Sequence, residues 1–138
     1  MKSLRIFLAL FLFIFIALPL ISEDYLIYVD FDERKLFLTN DIGIIIVAYS
    51  VALPGLNFNY LSLYGNVILA EKNPQVQIII KFDIIDANPI FKIFGSGSDV
   101  SLSRKSKSGY IIMNNKDILQ LIEIIEGKKT RVLFEKWK

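Results

Sequence analysis

The chain has 138 residues, a formal net charge of +2, no cysteine and no histidine. This composition excludes a disulfide framework, a cysteine nucleophile and an imidazole base. Beyond residue 22 the 14 acidic residues are balanced by 14 basic ones, since Lys2 and Arg5 account for the excess, so a nucleic-acid-binding surface is not indicated.

The N-terminal segment is typical of an export signal. Two basic residues precede an uncharged apolar run at residues 6–21. The run suits a signal-peptide core and is slightly short for a membrane span, which favours cleaved export over an anchor at residues 4–21. We therefore predict a signal peptide or membrane anchor over residues 1–22 and one domain over residues 23–138. The domain is expected in the periplasm, the cell envelope or the medium, with membrane contact only through an uncleaved N-terminal segment.

The next part of the chain has the pattern of β-hairpins. Runs rich in β-branched and aromatic residues alternate with Asn, Asp and Gly, which supply the backbone conformations that turns require. The predicted strands are residues 26–30, 35–39, 44–51, 66–69 and 75–83. Because residues 78–80 are all isoleucine, and so apolar on both faces, their strand is expected in the middle of the sheet.

One helix is predicted near the C-terminus. Asn115 is the expected N-cap, and Asp117 would lie in the first turn, where the helix dipole favours an anion. An apolar stripe runs from Ile118 to Ile125, and Gly127 is the expected C′ residue. A final strand follows at residues 131–135. This order predicts a mainly β sandwich or barrel with one packed α-helix near the C-terminus.

Residues 107–113 carry the most specific motif, Lys-Ser-Gly-Tyr-Ile-Ile-Met. The motif resembles the stretch Ser-His-Gly-Cys-Ile-Arg-Met of the bacterial L,D-transpeptidase family. The residues that match are Gly109, Ile111 and Met113. The residues at the family's histidine, cysteine and arginine positions are Ser108, Tyr110 and Ile112, respectively.

Other segments resemble the same family in the same order along residues 25–135. Residues 27–38 resemble its opening hairpin, and residues 49–55 resemble its Tyr-Pro-Val-Ser-Thr-Gly segment. Phe94 and Gly95 stand where the family has His-Gly, so a second histidine is replaced. Residues 113–127 resemble the helix that follows the catalytic motif. The resemblance implies an L,D-transpeptidase-like fold.

The resemblance also implies the reaction that the family's cysteine and histidine carry out. Family members cross-link peptidoglycan through a cysteine that attacks a stem-peptide carbonyl, which requires a thiolate, an imidazole and donors for the oxyanion. A phenol, with an ordinary pKa of about 10, is a poor nucleophile near neutral pH. We therefore interpret Tyr110 as a packing residue and expect no catalytic residue. The expected degenerate site comprises Phe94, Gly95, Ser108, Gly109, Tyr110 and Ile112.

Two other chemistries have candidate residues in the sequence. Ser106 or Ser108 could act as a nucleophile with Lys105 or Lys107 as its base, but such a lysine must be desolvated, and residues 101–108 have the composition of a solvated loop. Acidic residues in 30–33 and 83–86 could offer oxygens to Ca²⁺ or Mg²⁺. Solvated turns explain both acidic groups more simply, so no metal and no cofactor are expected.

The sequence is compatible with three functions. The first is an exported cell-envelope protein with an inactive L,D-transpeptidase-like domain that binds peptidoglycan or an envelope partner. The second is an active peptidoglycan L,D-transpeptidase or hydrolase with substituted catalytic residues. The third is a structural, membrane-anchored β-domain.

Overall fold

The computed structural model describes residues 24–55, 61–83, 90–96, 105–106 and 110–137. The predicted signal peptide or anchor at residues 1–22 lies outside the described residues. The strands are β1 (Tyr25–Asp30), β2 (Lys35–Asn40), β3 (Ile45–Pro54), β4 (Leu61–Glu71), β5 (Gln77–Phe82), β6 (Ile90–Gly95), β7 (Lys105–Ser106), β8 (Ile111–Met113) and β9 (Thr130–Lys136). A single helix among the described residues, α1, spans Asn115–Ile125.

Eight strands close into a barrel. Their order is β2-β1-β9-β4-β5-β6-β8-β3, and β3 pairs back onto β2. The two-residue strand β7 adds to the far end of β3 in parallel. Closure gives each wall strand two neighbours and so satisfies the backbone groups that an open sheet leaves at its edges. The predicted fold class, mainly β with one packed helix near the C-terminus, is confirmed, and its architecture is a barrel.

The first two hairpins follow from their turn residues. Asp30 Oδ1 accepts hydrogen bonds from the backbone N–H groups of Asp32 and Glu33, at 3.0 and 3.1 Å. Asn40 Oδ1 accepts two more, from the backbone two and four residues later in the chain. Gly43 has a φ of 87°, which an L side chain rarely adopts. β1, β2 and β3 therefore pair antiparallel in chain order, as predicted.

Helix α1 crosses one end of the barrel. It joins the end of β8 to the start of β9, and three strands separate those two strands in either direction around the wall. Its buried side chains belong to the same apolar core as the inward-facing strand residues. They are Ile118, Leu121, Ile122 and Ile125. The helix therefore closes the barrel at this end.

The ends of α1 test two expectations. Asn115 was wrong as the N-cap: Asn114 holds that position, and its side chain makes no capping hydrogen bond. The helix begins one residue earlier because the carbonyl oxygen of Asn114 accepts the first intrahelical hydrogen bond, from the Ile118 N–H at 3.0 Å. At the other end Gly127 has a φ of 72° and follows the C-cap residue, as predicted.

Aromatic rings fill the opposite end of the barrel. Phe134 contacts Phe31, Phe82 and Phe91, with ring centroids 5.4, 4.9 and 5.2 Å apart. Two of these contacts are edge-to-face, the arrangement that the ring quadrupoles favour. Since Phe31 follows β1 and Phe134 lies near the end of β9, the cluster lies away from α1. The core is thus bounded by a helix at one end and by aromatic rings at the other.

Tyr49 links the barrel wall to α1. Its side chain is 5% exposed, and its hydroxyl donates a 2.7 Å hydrogen bond to Gln120 Oε1. Burial, with a smaller contribution from the negative charge of Asp117, raises the pKa of Tyr49 from 10.0 to about 12. Because the fold favours the neutral phenol, this group stabilises the fold below about pH 10. That contribution is lost as the pH rises towards 12.

Replacing Gly65 with alanine is expected to lower the free energy of unfolding by about 2 kcal/mol. The added methyl group would lie 2.5 Å from the carbonyl oxygen of Lys81 and 2.9 Å from a ring carbon of Phe82, where β4 pairs with β5. Urea unfolding provides the measurement. Ser62→Ala, on the same strand and pointing away from the core, is the matched control and should change stability by less than about 0.5 kcal/mol. Equal effects of the two substitutions would contradict the close approach.

Replacing Tyr49 with phenylalanine is expected to lower the free energy of unfolding by about 1 kcal/mol at neutral pH, because one hydrogen bond is lost. It should also make the loss of stability between pH 10 and 12 shallower. Part of the loss should remain, since burial and the hydrogen bond to Glu135 raise the pKa of Tyr28 as well. Urea unfolding across this pH range checks both points, with Tyr64→Phe as an exposed control. The same alkaline slope in Tyr49→Phe and the unaltered chain would contradict the assignment.

Candidate functional site

The expected site lies where β6 and β8 pair in parallel. The register places Phe94 beside Ile112 and Gly95 beside Met113. Tyr110 immediately precedes β8. Four of the six expected site positions are therefore neighbours in the fold although the chain separates them by up to 18 residues. The other two, Ser108 and Gly109, lie outside the described residues.

Tyr110 packs between two phenylalanines. Its ring is edge-to-face with Phe94, with centroids 5.4 Å apart and an interplanar angle of 80°. It is also edge-to-face with Phe91, at 6.2 Å and 78°. Phe91 in turn contacts Phe134 in the core. The phenol thus connects the outer surface at Phe94 to the aromatic end of the barrel, an arrangement that fits the expected packing role.

A transverse row of side chains crosses the outer face of the wall at this point. The strand registers place Gln77, Phe94, Ile112 and Ala52 next to one another across β5, β6, β8 and β3. Most of their sequence neighbours face inward and are buried in the core, namely Val51, Leu53, Ile78, Ile93, Ile111 and Met113. The row is mostly apolar, and Phe94 and Ile112 are half-buried. We call these four residues the outer row.

One charged group borders the outer row and one polar group belongs to it. The ammonium of Lys92 lies 5.9 Å from the centroid of the Phe94 ring, within the range of a cation–π contact. Gln77 is 8% exposed, and its Nε2 donates to Glu71 Oε1. Its Oε1 is buried and finds no hydrogen-bond donor in the described part of the chain. Gln77 is thus the one member of the outer row with hydrogen-bonding capacity to spare.

Gly95 sets the distance between β6 and the helix. A methyl group there would lie only 2.5 Å from Asn115 Oδ1, inside the first turn, and 3.2 Å from Ile118 Cγ2. The next residue, Ser96, donates its backbone N–H to the carbonyl oxygen of Met113 at 2.8 Å and so extends the parallel pair. A residue with a side chain at position 95 would displace the start of α1.

Sequence reasoning missed Gln77, Ala52 and Phe91 as neighbours of the site. Gln77 and Ala52 come from β5 and β3, and only the pairing of these strands with β6 and β8 brings them to it. A usable signal existed for Gln77, because a polar side chain at the start of an apolar strand predicts a partly buried amide. No comparable local signal marked Ala52 or Phe91.

The half-buried members of the outer row can contact a ligand. They are the ring of Phe94 and the side chain of Ile112, with the ammonium of Lys92 nearby, whereas Gln77 and Ala52 are buried. The sequence supplies no thiol or imidazole. For the alternative Ser–Lys pair, only the backbone of Lys105 and Ser106 is described, in β7 beside the end of β3.

The described ranges hold no grouping of three or more acidic side chains suited to a metal ion. Among the same residues, no helix has the length and apolarity needed to span a bilayer.

Comparison with known proteins identifies the fold. No family model and no curated protein sequence matches the chain. The helical cell shape determining protein Pgp2 from Campylobacter jejuni matches with a TM-score of 0.60 and 12% identity, over 86% of this chain and 49% of that one. An L,D-transpeptidase from Xylanimonas cellulosilytica matches with a TM-score of 0.53 and 14% identity, over 84% and 62%. The chain spans about half the length of Pgp2, and it has an L,D-transpeptidase-like fold.

The contact between Phe94 and Tyr110 is expected to stabilise the fold by about 0.5–1.5 kcal/mol beyond the burial of the two rings. A double-mutant cycle of Phe94→Leu and Tyr110→Leu measures this coupling through urea unfolding. Phe37→Leu combined with Tyr110→Leu is the matched control, because Phe37 lies on β2 and contacts Tyr28 instead. Additive effects in the first pair would show that the two rings do not interact.

Proposed function

We propose that this chain is an exported cell-envelope protein whose L,D-transpeptidase-like domain binds peptidoglycan stem peptides without transferring an acyl group. The observation that carries the proposal is the packing of Tyr110 against Phe94 beside Ile112. By the resemblance, these three positions would hold the family's cysteine, one of its histidines and its arginine. Side chains that cannot form a thiolate–imidazole pair occupy them and contact one another.

The known proteins with this fold support the envelope setting. One is an L,D-transpeptidase, and the other determines helical cell shape. The apolar run at residues 6–21 supports export independently, because it has the length of a signal-peptide core. A cell-wall ligand is therefore the first candidate for the binding partner of this domain, and a protein in the envelope is the alternative.

The outer row offers contacts that suit a short peptide. Phe94 and Ile112 are half-buried, so each still presents apolar surface to an alkyl side chain. Lys92, close to the Phe94 ring, can pair with a peptide carboxylate. A stem peptide carries both kinds of group. Binding of this type needs no proton transfer and no nucleophile.

The chain is expected to be retained on purified sacculi, and Lys92→Glu is expected to reduce the retained fraction about five-fold by reversing one charge at the site. Lys35→Glu is the matched control, because Lys35 is exposed on β2, on another part of the wall. Sacculi whose stem peptides have been removed by an amidase should retain little of the chain. Retention no higher than that of an unrelated protein, or retention that survives removal of the stems, would contradict stem-peptide binding.

A further inference from the structure

Three segments meet at the end of the barrel where β1 begins. Tyr25 pairs with Asn40 of β2 and with Thr130 of β9, and its backbone N–H donates a 2.9 Å hydrogen bond to the carbonyl oxygen of Lys129. The β2–β3 hairpin lies on one side of this point, and the chain leading from α1 into β9 lies on the other. We call residues 24–25, 40–46 and 128–129 the N-terminal rim.

The hairpin of the N-terminal rim exposes three isoleucines. Ile42, Ile45 and Ile46 are 52%, 58% and 45% exposed. The tip is nevertheless shaped by hydrogen bonds, because Asn40 Oδ1 accepts from the backbone of Ile42 and Ile44 at 3.1 and 2.9 Å. A hairpin held in shape with its apolar side chains outward is unusual in water and is typical of a surface that meets another apolar phase.

Two exposed lysines flank the same point. Lys128 and Lys129 precede β9 and lie beside the start of β1. Asp41 and Glu126 are also exposed at this end, and Asp24 is half-buried there, so acidic groups offset the two lysines. The isoleucines therefore decide what kind of partner fits.

The chain itself indicates the partner. The apolar run ends at residue 21, and only three residues separate it from Tyr25. Four Cα–Cα steps span at most about 14 Å. If the run enters a bilayer, the chain must leave that bilayer at the N-terminal rim, between the isoleucine hairpin and the lysine pair. No other part of the described domain is tied so closely to this segment.

We propose that the N-terminal rim rests on the surface of a bilayer. Ile42, Ile45 and Ile46 lie at the boundary of headgroups and acyl chains, where a small apolar projection gains from burial. The stems of Lys128 and Lys129 can lie along this boundary while their ammonium groups reach the headgroup phosphates. The contact fixes the orientation of the barrel, with α1 and the rim towards the membrane and the aromatic end away from it.

The test uses the full chain at one copy per nanodisc, which excludes contact with a second copy. Because the chain has no cysteine, a fluorophore can be placed through Asp41→Cys at the rim or Glu33→Cys in the turn at the other end of β1. The six residues of β1 separate these positions by roughly 17 Å along the strand. In discs of phosphatidylcholine and phosphatidylglycerol, nitroxide-labelled lipid should quench the Asp41→Cys probe at least two-fold and spare the Glu33→Cys probe. Quenching of neither probe, or of the Glu33→Cys probe, would overturn the proposal.

Two sets of variants test the isoleucines and the lysines of the rim separately. Ile42→Ser, Ile45→Thr and Ile46→Thr together should reduce quenching of the Asp41→Cys probe to the level of the Glu33→Cys probe, with circular dichroism confirming the fold. Lys128→Gln with Lys129→Gln leaves the hairpin intact and should keep most of the quenching. Unchanged quenching in the isoleucine variant, or loss of quenching in the lysine variant, would overturn the apolar contact.

Discussion

The parallel pairing of β6 with β8 is the interaction on which the rest of the domain depends. β8 has only three residues, yet it joins β6 to β3 and so closes the wall of the barrel. The same register brings Phe94 beside Ile112. It also ends β8 at the point where α1 must begin, and Gly95 allows the first turn of that helix to approach β6. A shift of one residue would turn Ile111 and Met113, both fully buried, out of the core and bring Ile112 into it.

The sequence predicts the local parts of this structure better than the pairing that unites them. Side chains of Asp30 and Asn40 and the backbone freedom of Gly43 act within a few residues, so their hairpins could be read directly from the chain. The apolar stripe of α1 and the terminating Gly127 were equally local. The N-cap is Asn114 and not Asn115, and two adjacent asparagines give the sequence no means of telling them apart. The outer row could be foreseen only through the family resemblance, and Gln77 and Ala52 join it through strand pairings that no local pattern encodes.

In this domain the core that stabilises the fold is separate from the outer row. A closed wall, a helix across one end and aromatic rings at the other form the core, and the charged side chains of Lys92 and Glu71 lie beside the outer row. Once a thiolate and its imidazole are absent, an unpaired polar side chain left half-buried there would cost about 1–3 kcal/mol. Rings that pack edge-to-face avoid that cost. The outer row lies across β5, β6, β8 and β3. The N-terminal rim lies on another part of the wall, across β9, β1, β2 and the start of β3. A barrel resting on a membrane would therefore keep the outer row accessible from the side.

The central claim is that this L,D-transpeptidase-like domain binds its ligand without forming an acyl-enzyme. Intact-mass spectrometry of the full chain after incubation with a carbapenem, and separately with muropeptides, tests it most directly, with an active L,D-transpeptidase as the positive control. The account predicts an unchanged mass under conditions in which the control is fully acylated. A mass increase of one acyl group, mapped to Tyr110, Ser106 or Ser108, would contradict it.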